Sequence, residues 1–150
     1  LHPSLQLLHG YYLEDLKTGM STSYGRTVTE TDIANFAGVS GDTNPLHLNA
    51  EFAATTRFKQ RIAHGMLSAA YISTLIGTRL PGPGCLYISQ SLRFVAPVRI
   101  GDTVIATATV TDIDTARRRV KLSTVCRVGD TVVVDGEAET LVETRAKHGT

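Results

Sequence analysis

The sequence predicts an α+β domain in which a mainly antiparallel sheet curls around one buried helix. Three observations carry this reading. Residues His64–Arg79 place Met66, Leu67, Ala69, Ala70, Tyr71, Ile72, Leu75 and Ile76 nearly all round a helix. A helix apolar on most of its circumference belongs inside protein. Pro81-Gly82-Pro83-Gly84 then stops it, since proline cannot continue a helix and the glycines favour turns. After residue 84 the apolar period changes to two, the signature of strands. A sheet wrapped round the helix is an economical solution, although other α+β layouts share the pattern.

The elements follow in order. Residues 1–17 carry little pattern and are assigned as an N-terminal arm; residues 18–150 form a single domain, as the length of 150 suggests. Ser21–Val28 reads as a first strand. Thr29-Glu30-Thr31-Asp32 has the form of a capping box, followed by Ile33, Phe36, Ala37 and Val39 at helical spacing over about 30–39. Ala50–Thr56 is a second short helix, and the buried helix comes next. Ile88, Leu92, Phe94 and Ala96 should share one strand face. Val104, Ala106, Ala108 and Val110 should do the same, then Val120, Leu122 and Cys126, then Val132 and Val134. Turn signals at Pro97, Gly101-Asp102, Asp114–Arg118 and Gly129-Asp130 separate these runs.

Composition excludes several partners. Fifteen Lys and Arg against 14 Asp and Glu leave a net charge of +1, too small a field to gather nucleic acid or an anionic membrane. Aromatics are only 6% and Trp is absent, which leaves few platforms for stacking bases. No run reaches the roughly 18 apolar residues that a membrane span needs. Cys85 and Cys126 stand apart from any CxxC and read as free thiols in a reducing compartment. Leu1–Gly10 has no secretory pattern. The expected location is the cytoplasm in a bacterium, or the mitochondrial matrix in a eukaryote.

His2, His9 and His148 lie near the ends and read as solvated. His47 and His64 differ. In Asp42-Thr43-Asn44-Pro45-Leu46-His47 the Asn-Pro step turns the chain, so a carboxylate and an imidazole can meet. Such a pair can hold one water and move protons near neutral pH. His64-Gly65 falls where the buried helix begins. The first turn has unpaired N–H groups and glycine admits a ligand closely, which suits a developing oxyanion. The plain alternatives stay open: Asp42 and Asn44 can simply close a turn, and His64 can be satisfied by backbone. Asp42, His47 and His64 are also metal-ligand types, but no His-x-x-x-His or Cys cluster supports a metal, and none is expected. Arg117-Arg118-Arg119 is either a solvated turn or a contact for an anionic tail.

Asp42–His47 resembles the D-x-N-P-x-H signature of the MaoC-like (R)-specific enoyl-CoA hydratases, also called hydratase 2. Ile62-Ala63-His64-Gly65-Met66-Leu67 resembles the family's second block. Leu80–Gly84, Gln90–Phe94 and Pro97–Asp102 fit as well, so the likeness spans roughly 18–143. It implies a hot-dog fold for residues 18–150. By position, Asp42 and His47 match the catalytic dyad and Gly65 the amide that binds the thioester oxygen. Asn44 matches a residue supporting the motif loop, and His64 joins it in substrate binding. Ser73 falls where some members carry a serine near the site. The implied reaction is reversible syn hydration of trans-2-enoyl thioesters to (R)-3-hydroxyacyl thioesters. No separate cofactor is implied, because CoA or acyl carrier protein is part of the substrate. A homodimer is expected. If CoA is the ligand, Arg117–Arg119 is the cluster that could meet its phosphates. Two competing readings remain on this fold: an acyl-CoA thioesterase, and a non-catalytic acyl-thioester binding module.

Overall fold

Strand alternation and helix caps set the architecture of the protein, seen in a computed structural model that describes residues 2–145. His148 lies outside the described residues. A single turn, α1 (Pro3–Gln6), and a 3-10 turn (Leu13–Asp15) precede β1 (Ser21–Thr27). Three short helices follow: α2 (Glu30–Ser40), α3 (Pro45–Leu48) and α4 (Ala50–Ala54). The central helix α5 covers Gly65–Thr78. Five strands complete the chain: β2 (Leu86–Gln90), β3 (Arg93–Phe94), β4 (Thr103–Asp114), β5 (Arg119–Val128) and β6 (Thr131–Leu141). All pairings are antiparallel, in the order β1-β4-β5-β6-β2, with β3 also on β6.

Every second residue of β4 and β5 faces α5. Val104, Ala106, Ala108, Val110, Val120, Leu122 and Cys126 are all buried, as their period of two predicts. The helix supplies Leu67, Tyr71, Ile72, Leu75 and Ile76 to the same core. Each fully buried Ile or Leu contributes about 1.5–3 kcal/mol over its exposed state. Sheet and helix together have the hot-dog arrangement. The helix is not enclosed on all sides, however. Met66, Ala70, Ser73 and Gly77 share its outer face and are exposed, so its apolar circumference is only half used by this chain.

Other expectations change too. The run from Ile88 to Ala96 is not one buried face: β2 and β3 are separate, and Leu86, Ile88 and Phe94 are exposed. The strand breaks at Ser91, whose carbonyl crosses Gly136 of β6 so closely that a Cβ there would meet it at 1.9 Å. On β6 it is Val133 and Val134 that are buried, because the ladder with β5 shifts register between Cys126 and Arg127. Near the N-terminus, Leu13 and Leu16 belong to the core, and the Leu13 N–H donates to Glu143 O at 2.9 Å. His9 is half-buried, stacked on Tyr12 with centroids 4.0 Å apart, whereas His2 is exposed.

α2 starts with the predicted capping box. Thr29 Oγ1 accepts from Asp32 N–H at 3.1 Å and Asp32 Oδ2 accepts from Thr29 N–H at 3.0 Å. Arg26 adds an ion pair to Asp32 at 2.5 Å. Gly41 ends the helix in the left-handed region at φ 76°, a conformation that costs glycine little. That reversal delivers the next residue, Asp42, toward the start of α5.

Candidate active site

A ladder of local hydrogen bonds shapes the Asp42–His47 segment. The Asp42 N–H donates to Ser40 Oγ at 3.1 Å, and Asp42 Oδ1 accepts from the Asn44 N–H at 3.2 Å. Asn44 Oδ1 accepts from the Leu46 N–H at 3.0 Å and so caps α3. Pro45 occupies the first helical position, where its missing N–H costs nothing. Asn44 therefore shapes the turn that carries His47; its contacts are with this loop.

His47 is buried, at 8% exposure. Its Nδ1 lies 2.8 Å from Ile62 O. A carbonyl only accepts, so Nδ1 carries the hydrogen and Nε2 keeps a free lone pair. Arg61 steadies the same residue from behind, donating Nε–H to His47 O at 2.6 Å while gripping Glu30 through both terminal nitrogens at 2.9 Å. His64, the N-cap residue of α5, is fixed in the opposite tautomer: Nε2–H donates to Asp42 O at 2.9 Å. Its ring packs against that of His47, tilted by 31° with centroids 4.0 Å apart, and rests against Phe36 at 4.8 Å. One carboxylate oxygen of Asp42 and one ring nitrogen of each histidine thus lie within 4.8 Å of one another.

Next to this cluster the Gly65 N–H opens α5. No side chain caps the helix, and the Gly65 N–H has no acceptor among the described residues. A free amide at the positive end of a fourteen-residue helix is suited to a carbonyl oxygen gaining charge. His47, His64 and Gly65 line one cavity of about 370 Å³. Apart from Arg57 its other walls are apolar: Phe58, Ile62 and Ala63 before the helix, Met66 on it, Phe94 on β3 with Val95–Val98 after it, and Val133 and Val134 on β6. Ser68, a buried residue of α5, adds a hydroxyl. Such a chamber admits an acyl chain beside a few polar groups.

The structure brings together Asp42, His47, His64 and Gly65, with Asn44 holding the loop. It does not bring Ser73 to them. Ser73 is on the exposed face of α5 and does not line the cavity. Ala69 and Ala70 do not line it either; the room there is bounded by Ser68, Val133 and Val134. Sequence reasoning missed Arg57, Phe58 and the Phe94–Val98 wall. Only their meeting across the fold reveals them, since Ala63 N–H donates to Val98 O at 2.7 Å and ties the two segments.

The profile of the MaoC like domain matches residues 13–134. The chain belongs to the MaoC-like family. It is similar to an (R)-specific enoyl-CoA hydratase of Rhodospirillum rubrum, with 56% identity over 135 residues, 90% of this chain and 94% of that protein. A 3-hydroxybutyryl-CoA dehydratase of Methylorubrum extorquens is 49% identical over 136 residues, covering 91% of this MaoC-like chain and 85% of its own. Among solved structures, an R-hydratase of Pseudomonas aeruginosa in its unliganded form superimposes with a TM-score of 0.85 at 44% identity, over 91% of this chain and 88% of that one. No helix among the described residues is long and apolar enough to cross a membrane.

Proposed function

We propose that this MaoC-like protein is an (R)-specific enoyl-CoA hydratase, a hydro-lyase that adds water reversibly across trans-2-enoyl thioesters. One observation carries the reading: Asp42, His47 and His64 converge beside the unpaired Gly65 amide, in a chain 56% identical to a protein of that name. Water held between the Asp42 carboxylate and the His47 Nε2 lone pair is aligned on C3. As its oxygen attacks, the pair takes its proton and returns one to C2 on the same face, which gives syn addition. Charge gathers on the thioester oxygen, and the Gly65 N–H meets it without reorganising. His64 locks the Asp42 loop through the main-chain carbonyl. The chemistry calls on no metal or redox cofactor, and the CoA or carrier-protein arm enters as part of the substrate.

The test is hydration of crotonyl-CoA, followed by loss of the conjugated thioester absorbance and by chiral analysis of the product. Asp42→Asn and His47→Gln should each lower kcat by about 10²–10⁴, with unchanged circular dichroism. Near-normal turnover in Asp42→Asn would remove the dyad. Release of CoA from saturated acyl-CoA, without hydration, would point to a thioesterase instead. Activity should survive a chelator.

We further propose a homodimer. The sheet ends at β2, an edge whose Leu86, Tyr87 and Ile88 are exposed, and a second copy would cover that edge. Light scattering that finds only monomer at assay concentration would refute this. We also propose a location in the cytoplasm of a bacterium, or in the mitochondrial matrix of a eukaryote, where the free thiols of Cys85 and Cys126 would stay reduced.

A further inference from the structure

We propose that Arg57 binds the phosphate of the thioester carrier at the mouth of the cavity, which makes it a specificity-determining residue for phosphopantetheine thioesters. This rests on the hydratase reading above. A cavity of about 370 Å³ is near the small end of ligand sites, which run from roughly 300 to 1,000 Å³. It can take the acyl and thioester end of a substrate but not a nucleotide as well. The carrier's phosphates must therefore lie at the rim.

Arg57 is the one charged side chain lining the cavity among the described residues. It stands on the loop after α4 and is exposed. Its guanidinium lies over the Phe58 ring, 4.9 Å from the centroid, and Phe58 lines the same cavity. Stacking uses the face of the guanidinium and leaves its in-plane N–H groups free. No carboxylate among the described residues pairs with Arg57. Arg61, four residues on, is by contrast committed to Glu30 and to His47 O. A planar fork held at a pocket mouth with no anion of its own suits a phosphate, which it can grip in bidentate fashion.

The other candidate, Arg117–Arg119, is badly placed. Arg119 pairs with Leu141 at the far end of β6, whereas the cavity takes Val133 and Val134 at its start. At about 3.3 Å per residue that is roughly 23 Å along the strand. Arg118 is moreover engaged by Glu143 at 2.8 Å. With a net charge of +1 the protein as a whole offers no attraction, so a local cation has to supply it.

CoA and acyl carrier protein share this chemistry, because both present the thioester on a phosphopantetheine arm. The experiment compares crotonyl-CoA, crotonyl-acyl carrier protein and crotonyl-N-acetylcysteamine, which has no phosphate, on wild type, Arg57→Ala and Arg57→Lys. The ratio of KM for crotonyl-CoA to KM for the phosphate-free thioester should rise about tenfold in Arg57→Ala, equivalent to ~1.4 kcal/mol. Arg57→Lys should recover part of it. A parallel rise with the carrier protein assigns the contact to the shared phosphopantetheine phosphate; a rise with CoA alone places the contact on the nucleotide phosphates of CoA and overturns the assignment to the phosphopantetheine arm. An unchanged ratio overturns the proposal. Calorimetric titration with CoA and with pantetheine reads the same contact without turnover. If wild type hydrates neither small thioester, the hydratase reading fails. Arg57 is then still decided by whether Arg57→Ala weakens CoA binding, which supports it, or leaves it unchanged, which overturns it.

Discussion

Gly65→Ala is the sharpest probe of the site, because the structure separates its effect on folding from its effect on catalysis. A Cβ at residue 65 would lie 2.5 Å from Phe94 Cδ1 and 2.7 Å from Cε1. Ordinary carbon contacts are about 3.5–4.0 Å, so the ring must retreat by about 1 Å. It can do so: Phe94 is 53% exposed and sits on the two-residue strand β3. The gain in helix propensity, at most ~1 kcal/mol, offsets the shift, and stability should move by no more than about 1 kcal/mol either way. Turnover should not be spared. The new methyl stands beside the amide that the thioester oxygen must reach; the N–H itself remains, but if the methyl keeps the oxygen from it the cost approaches that of losing such a donor, about 10²–10³ in kcat. Crotonyl-CoA kinetics beside urea unfolding would show a stable protein with kcat reduced by that amount. The double variant Gly65→Ala/Phe94→Ala identifies the cause. If removing the ring restores turnover, the displaced ring was blocking the cavity and the argument for the amide is lost. Near-normal kcat in Gly65→Ala alone would refute it outright.

Three further outcomes are expected. Arg61→Ala should cost about 1–3 kcal/mol, because the carbonyl of buried His47 loses its partner; Glu30→Ala should cost under ~1 kcal/mol, since that carboxylate is exposed. Equal losses in urea unfolding would mean that the ion pair, not the carbonyl contact, matters. The Asp32 carboxyl is held below its ordinary value of 3.8, first by Arg26, against the opposing effect of its own burial and with help from Thr29. Its stabilisation is therefore complete above that value and lost as pH falls through the depressed one. Asp32→Asn should lower Tm at neutral pH and flatten the acid limb below about pH 4, and an unchanged acid limb would contradict this. Burial pushes the Cys126 thiol up to about 12 and also raises Cys85. A thiol reagent at mildly alkaline pH should label half-buried Cys85 before Cys126, and prompt labelling of Cys126 in the native protein would count against its burial.

The strands of β4 and β5 and the start of α2 were legible because each depends on a local rule. Alternation places Val104 through Val110 inward, and Thr29 with Asp32 caps a helix wherever they stand at that spacing. The split of β2 from β3 was not legible, since it turns on Ser91 meeting Gly136, a contact between strands far apart in sequence. The site shows the same division. Asp42 and His47 were legible as a pair because a turn joins them. Their geometry was not, because both imidazoles are set by main-chain carbonyls of other segments, Ile62 O for His47 and Asp42 O for His64. Spacing reports which residue types are present; it says nothing about which carbonyl will fix a tautomer.

That dependence on carbonyls bears on how the site can be altered. A side-chain partner for His47 Nδ1 could be removed by one substitution, whereas Ile62 O cannot. Ile62 is in turn held by its neighbours: its N–H donates to Leu46 O at 3.4 Å, and the next residue is tied to Val98 O at 2.7 Å. The tautomer of His47 therefore depends on the packing of α3 against the segment leading into α5, and through Val98 on the loop before β4. Substitutions that loosen this packing should lower kcat while leaving all four convergent groups in the sequence. The packed histidines carry the coupling further, since any shift of α5 moves His64, and His64 moves the Asp42 carbonyl that it holds. Position of the dyad is thus a property of the helix and sheet together, which is why a motif on an exposed turn needs the buried helix behind it.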